Sequence, residues 1–329
     1  MIELVLIATG FQAVNADADS DLAASSQRLP LLEQMLSRAR HVQLPGDWRD
    51  CLASSLAPPT LMPFTLAAIA GAAFRGHSRP HPENTGYWLA TPAHLFAGLD
   101  SVHLHPDGLL RLGDDEQQWL ATDFARVFSD SPWRLEAIGK RELLLGGPVL
   151  AADGADPSTL PGGDPARGLP RGDGANLLRR LGSEVEMWLH DHPINRQRVA
   201  RGEMPVTALW LWGARAPVPS PTLRLRQPAL FGRDVYLEAL CQLLRLTCAD
   251  ISQALPAIES VPARLGSDTV LLMERLSQLE QQVLPAALRA VRERRLNLHL
   301  IAGRHLFSLS SWRLMQRWRR SRPWTQVLT

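Results

Sequence analysis

Proline and glycine punctuate this chain throughout: 25 prolines and 23 glycines among 329 residues leave few stretches where a helix or strand can run long. The densest run, GGPVLAADGADPSTLPGGDPARGLPRGDG from Gly146 to Gly174, is too rich in Gly, Pro and Asp to pack as one element. It predicts a linker or large surface loop over residues 151–174. An N-terminal α+β part (1–150) would precede it and a C-terminal α/β part (175–329) follow, unless the loop is thrown out of one continuous domain.

The segments between these breaks carry readable periods. LVLIA (Leu4 to Ala8) is a continuous apolar run of strand length, as in a strand covered on both faces. LPLLEQMLSRA, DWRDCLASSL and the small-residue stretch FTLAAIAGAAF read as helices, the second ended by Pro58 and Pro59. SVHLHPDGLLRLG alternates on both sides of Pro106-Asp107-Gly108 and predicts a hairpin. A helix from about Asp115 buries Trp119, Leu120, Phe124, Val127 and Phe128, and WRLEAIG with RELLLGG reads as a strand pair. After the break, ANLLRRLGSEVEMWLH is an amphipathic helix and VTALWLW a buried strand. Then come a helix near VYLEALCQLLRL and a longer amphipathic stretch from about Ser267 to Arg292 interrupted at Pro285. A strand pair, LNLHLIAG with RHLFSLS, precedes the basic tail SWRLMQRWRRSRPW.

Composition narrows the function classes. A hydrophobic content of 45% with 21% charged residues is that of a globular chain with a sizeable core. The net charge of +2 gives no global case for nucleic acid or an acidic substrate. No apolar run approaches a membrane span, and MIELVLIATG reads as a first strand, not a signal peptide. Cys51, Cys241 and Cys248 are too few and too scattered for a disulfide framework or a zinc cage. They read as buried hydrophobes of a cytoplasmic protein.

The crowded stretch HDHPINRQRVARGEMPVTALWLWGAR, residues 190 to 215, passes from helix through a polar turn into strand. Asn195 and Arg198 are three apart and share a helix face, His192 sits just before them, and Gly202 permits a positive φ. A guanidinium fork beside an amide suits a phosphate or carboxylate. The same residues also suit capping of the preceding helix and tying the loop to a sheet.

This stretch resembles the His-Pro-Val-Asn-x-x-Arg-x-x-x-Gly-x-x-Pro-(Val/Ala)-Asn segment of archaeal-type cofactor-independent phosphoglycerate mutases, members of the alkaline phosphatase superfamily. It is similar also to a proteobacterial family known as regulatory protein RpfE. The matching residues are His192, Pro193, Asn195, Arg198, Gly202, Pro205, Trp210, Trp212 and Gly213. The likeness to the bacterial family extends to GYWLATPAHL (Gly86 to Leu95), to GLPRGDGANLLRRLGSEVEMWLHDHPIN and to LEQQVLPAALRAVRERRLNLHL. The departures are equally specific. Thr207 and Thr91 stand where the resemblance implies Asn and Asp, and Ala214-Arg215 replace a Gly-Gly. Thr9-Gly10 ends the first apolar run where a mutase carries a metal-binding Asp followed by Gly. The resemblance implies a mutase that needs two metals and a nucleophilic Ser, and neither set is recognisable.

The resulting expectation is an α/β (or α+β) protein with a mixed sheet flanked by helices, a degenerate version of the phosphoglycerate-mutase and alkaline-phosphatase architecture. It would be a regulatory or binding protein of bacterial type. The candidate anion site comprises His192, Asn195, Arg198, Gly202 and Thr207, with no cofactor, no metal and no assigned catalytic residue. Its partner would be an anionic small molecule or a protein. A metal-dependent phosphoryl-transfer enzyme is the alternative, drawing on Asp17, Asp19 and Asp21 or on His103 and His105 with His94 nearby. A nucleic-acid role for the arginines and tryptophans of the tail is a weaker alternative, because Trp312, Leu314, Met315 and Trp318 also form a core-facing helix stripe.

Overall fold

The computed structural model describes residues 2–9, 28–56, 65–74, 85–98, 101–138, 142–160, 164–220, 223–250, 267–273 and 275–315. The chain divides into two compact units, one formed by residues 1–58 with 217–329 and the other by residues 59–216. The first unit opens with β1 (Ile2–Ala8) and β2 (Arg40–Gln43). The second holds β3 (Gly86–Ala97), β4 (Val102–Leu109), β5 (Arg134–Ala137), β6 (Leu143–Gly147), β7 (Ala151–Asp153), β8 (Arg171–Asp173) and β9 (Ala208–Trp212). The chain then returns with β10 (Ala229–Phe231), β11 (Cys248–Ala249), β12 (Thr269–Met273), β13 (Leu296–Ala302) and β14 (His305–Leu309).

In the first unit seven strands form one mixed sheet in the order β11-β10-β12-β1-β13-β14-β2. β11, β10, β12, β1 and β13 run parallel, while β14 and β2 are antiparallel to their neighbours. The apolar run of β1 sits between β12 and β13, which is why it shows no polar alternation. Leu4, Leu6 and Ala8 pack with Leu32, Met35 and Leu36 of the helix Pro30–Arg38 and with Leu284, Leu288 and Val291 of the helix Leu284–Arg292. Helix Pro30–Arg38 has no cap of its own; Glu280 accepts hydrogen bonds from the N–H groups of Leu31 and Leu32 at 2.8 and 2.9 Å. The amphipathic stretch from Ser267 is corrected here: TVLLM is the fully buried strand β12, and helix begins only at Leu276. A short apolar run satisfies either period, and pairing with β1 and β10 decides for strand. Ahead of Pro285 the helix widens into a π turn, Leu284 N–H reaching Leu279 O.

The second unit is built on an antiparallel sheet around β3, whose 12 residues pair with β6 over Gly86–Ala90, with β4 over Ala93–Ala97 and with β9 over Leu89–Ala93. β5 extends it beyond β6. The hairpin expected at Pro106-Asp107-Gly108 is corrected to a single strand, β4, that runs through all three residues. A register shift opposite Ala93–Leu95 absorbs the irregularity, and a Cβ on Gly108 would stand 2.7 Å from the carbonyl oxygen of His94. The segment 151–174, expected as a loop or linker, lies inside this unit and carries β7 paired to β8 with two short 3₁₀ turns. Asp156 and Asp164 cap those turns through the N–H groups of Ser158 and Ala166, so the composition that reads as loop supplies capping. Trp88 and Trp210 pin it by indole hydrogen bonds to Ala152 O and Ala155 O. The helix Asp114–Val127 buries Leu120 and Phe124, while Val127 faces solvent.

Together these elements make a mixed α/β protein with a mixed sheet flanked by helices. Among the described residues no helix is long and apolar enough to cross a membrane. Of the basic tail, a short helix at Ser311–Leu314 is described, with Leu314 buried and Trp312 exposed; residues 316–329 lie outside the described residues.

Candidate functional site

The helix Ala175–Asp191 turns Leu178, Leu181, Val185 and Leu189 into the core of the second unit and stops at His192. His192 also caps the next helix, Pro193–Ala200: its Nδ1 accepts the N–H of Ile194 at 3.1 Å, with Pro193 in the first turn. The ring proton therefore resides on Nε2, which is buried 3.4 Å from Asp123 Oδ2 with no hydrogen-bond partner among the described residues. The edges of Trp119 and Trp188 enclose the ring. Burial holds the imidazole below its ordinary pKa, and the nearby Asp123 only partly counters that. For Asp123 itself burial pushes upward, yet hydrogen bonds from Trp188 and Arg126 win and hold its carboxyl below the usual range.

The remaining motif side chains are engaged within the unit. Asn195 Nδ2 donates to Leu189 O and Val206 O, both at 2.8 Å, and its Oδ1 accepts from Val206 N–H at 2.7 Å. It thereby clamps a helix end to the approach of β9. Arg198 Nε donates to Met204 O at 2.8 Å, and its Nη1 meets both oxygens of Glu116 at 3.0 and 2.9 Å. Arg201 joins the same carboxylate at 2.6 Å and also pairs with Glu203. Gly202 adopts φ +74°, closing the helix end while Glu203 N–H returns to Arg198 O. Thr207 Oγ1 accepts Leu95 N–H at 2.6 Å and lies 3.2 Å from Leu95 O, stitching the start of β9 to β3. Thr91 accepts the indole N–H of Trp212 and donates to Glu142.

Beside this scaffold lies an open cleft of about 700 Å³, lined by Glu186, His190, Asn195, Arg196, Val199 and Thr207 among others. Of the sequence-predicted residues, Asn195 and Thr207 border it; His192, Arg198 and Gly202 do not line it. Arg196 is exposed there, and its side chain makes no hydrogen bond or ion pair with the described residues. Desolvation raises the carboxyl of Glu186 above its ordinary pKa. The sequence reading passed over Glu186, His190 and Arg196, although Glu186 and His190 are four apart on one helix face. It also missed Glu116 and Asp123, which reach Arg198 and Trp188 across 82 and 65 residues of chain, a separation that leaves no local signal.

The described residues do not assemble a two-metal centre. Among the described residues no group of three His, Cys, Asp or Glu is placed to hold a metal ion. His94 Nδ1 donates to Pro205 O, His105 Nδ1 accepts Asp107 N–H, and His103 pairs with Ser101. Thr9, at the end of β1, donates to Met273 O at 3.4 Å. Asp17, Asp19 and Asp21 lie outside the described residues. The cysteine expectation needs correcting: Cys51 and Cys241 are buried, but Cys248 is exposed.

No protein-family profile matches the chain. A segment of 52 residues is 44% identical to the 2,3-bisphosphoglycerate-independent phosphoglycerate mutase of Methanothrix thermoacetophila, covering 16% of this chain and 13% of that enzyme. A 50-residue segment is 40% identical to a probable enzyme of the same name from Geobacter sulfurreducens, covering 15% of this chain and 12% of the relative. The chain is thus homologous to these mutases over a short stretch. Among solved structures it is similar to the cofactor-independent phosphoglycerate mutase of Thermoplasma acidophilum, at 16% identity and a TM-score of 0.38, over 94% of this chain and 90% of that one.

Proposed function

We propose that this chain is a phosphoglycerate-mutase-like binding protein, regulatory and of the RpfE-like bacterial type, without metal-dependent catalysis. The carrying observation is the division of labour around the motif. Asn195 and Arg198 spend hydrogen bonds on the chain's own carbonyls and on Glu116, while Arg196 stands open on the adjoining cleft. In this reading the candidate set His192, Asn195, Arg198, Gly202 and Thr207 positions the anion site. Arg196 supplies its charge and His190 a further donor. A cleft of about 700 Å³ suits a small metabolite or a partner's acidic side chain. The soluble cytoplasm is the compartment this reading implies.

Calorimetric titration with 3-phosphoglycerate tests it. Arg196→Ala is expected to weaken binding about tenfold, the loss of one charge-assisted hydrogen bond at about 1.4 kcal/mol. Equal affinity in wild type and variant overturns the site. The second reading, a working phosphoryl-transfer enzyme, draws its support from the 52-residue match to a mutase. Mutase turnover that depends on added Mn²⁺, with near-stoichiometric metal by elemental mass spectrometry after dialysis, would replace the binding reading with that one.

A further inference from the structure

Cys241 and Cys248 are brought together by the end of one helix. Cys241 occupies the last turn of Val235–Leu244, and the chain then reverses through Arg245 in the left-handed region, at φ 54°. The N–H of Leu246 returns to Cys241 O at 2.9 Å, and Leu230 N–H holds Thr247 O at the same distance. Three residues beyond Arg245, Cys248 enters β11, the edge strand of the seven-stranded sheet, opposite Leu230. Its side chain thereby meets Cys241, whose S–H donates to the Cys248 sulfur. The two thiols differ in setting. Cys241 is 4% exposed, whereas Cys248 faces solvent. The hydrogen bond from Cys241 lowers the Cys248 thiol from its ordinary pKa, and the same bond together with burial raises Cys241. An accessible thiol with its pKa lowered, beside a protected one, has the arrangement of an attacking and a resolving cysteine.

We propose that Cys248 and Cys241 form a thiol–disulfide exchange site that reacts with small disulfides such as oxidised glutathione. Cys248 thiolate attacks one sulfur of the small disulfide, breaking its S–S bond, forming a mixed disulfide and releasing one thiolate. Cys241 loses its proton to that thiolate and attacks the Cys248 sulfur. This closes the Cys241–Cys248 bond and releases the second small thiolate, which takes its proton from water. Two electrons pass from the protein to the small disulfide, and the helix end becomes covalently tied to the edge strand. Cys51 serves as the internal contrast: it is fully buried, and desolvation pushes its thiol up to about 11.

The test uses the folded full-length protein, oxidised glutathione, a free-thiol count with Ellman's reagent and peptide mapping by mass spectrometry. The expected result is loss of two of the three thiols with a mapped Cys241–Cys248 bridge and Cys51 left free. Cys241→Ser is expected to stop at the mixed disulfide on Cys248, gaining one glutathione, and Cys248→Ser to show no reaction. Three free thiols in the treated wild type, or a mixed disulfide at Cys248 that never closes, would overturn the proposal.

Discussion

Arg198 illustrates how a side chain can match a ligand motif and serve the fold. Its side chain is 5% exposed and its Nη1 meets the Glu116 carboxylate at 2.9 Å. Arg198→Ala leaves that half-buried carboxylate to Arg201 and the Gly113 N–H and frees Met204 O, so the loss of stability is expected to be about 2–3 kcal/mol by urea denaturation. Arg196→Ala, on the exposed face of the same helix, should stay within about 0.5 kcal/mol of wild type in the same measurement. His192 gives a pH signature. Its folded pKa is held below the unfolded value near 6.5, so between the two the unfolded chain binds more protons. Its contribution to stability is fully present above about pH 6.5 and is lost as pH falls toward the depressed folded value. Unfolding midpoints at several pH values should show a shallower acid-side decline in His192→Gln; an unchanged slope would remove His192 as the source. Asn195 and Arg198 were legible in the sequence as a pair sharing one face. That their partners are Leu189 O, Val206 O and Glu116 was not, because hydrogen bonds between distant segments leave no periodicity.

At the scale of elements, periodicity served where one face of an element meets the core. The helices Pro30–Arg38 and Ala175–Asp191 and the strands β1, β9, β13 and β14 lie where their patterns predict them. It failed for β12, whose five buried residues carry no alternation, and for β4, where Pro-Asp-Gly sits inside a strand opposite a register shift. Both errors come from partners that only pairing supplies. Capping is similarly non-local for the helix Pro30–Arg38. Glu280→Ala removes the acceptor for two N–H groups of its first turn and should cost about 1 kcal/mol. Glu280→Gln, which keeps one acceptor oxygen, is expected to recover part of that loss in the same thermal melt.

For the whole molecule, the two compact units do not follow chain order, since residues 59–216 are inserted between the two parts of the first unit. The inserted unit carries its own core, in which Trp88, Phe124, Leu143, Leu145, Leu189 and Ile194 are mutually packed. A fragment of residues 59–216 is therefore expected to unfold cooperatively on its own, and a broad, featureless calorimetric transition would refute that independence. The sequence by itself determined the α/β class, most helices, the strands β1, β5, β6, β9, β13 and β14, and the concentration of polar chemistry between residues 190 and 207. Those features depend on the period and residue type of short windows. Tertiary structure alone decided that the segment 151–174 is pinned inside a unit, that the motif's polar groups turn inward, and that Arg196 faces a cleft. It also decided that two cysteines seven positions apart meet. Each of these depends on which distant backbone groups a side chain reaches, and that is settled by the closing of the sheet and not by any local pattern.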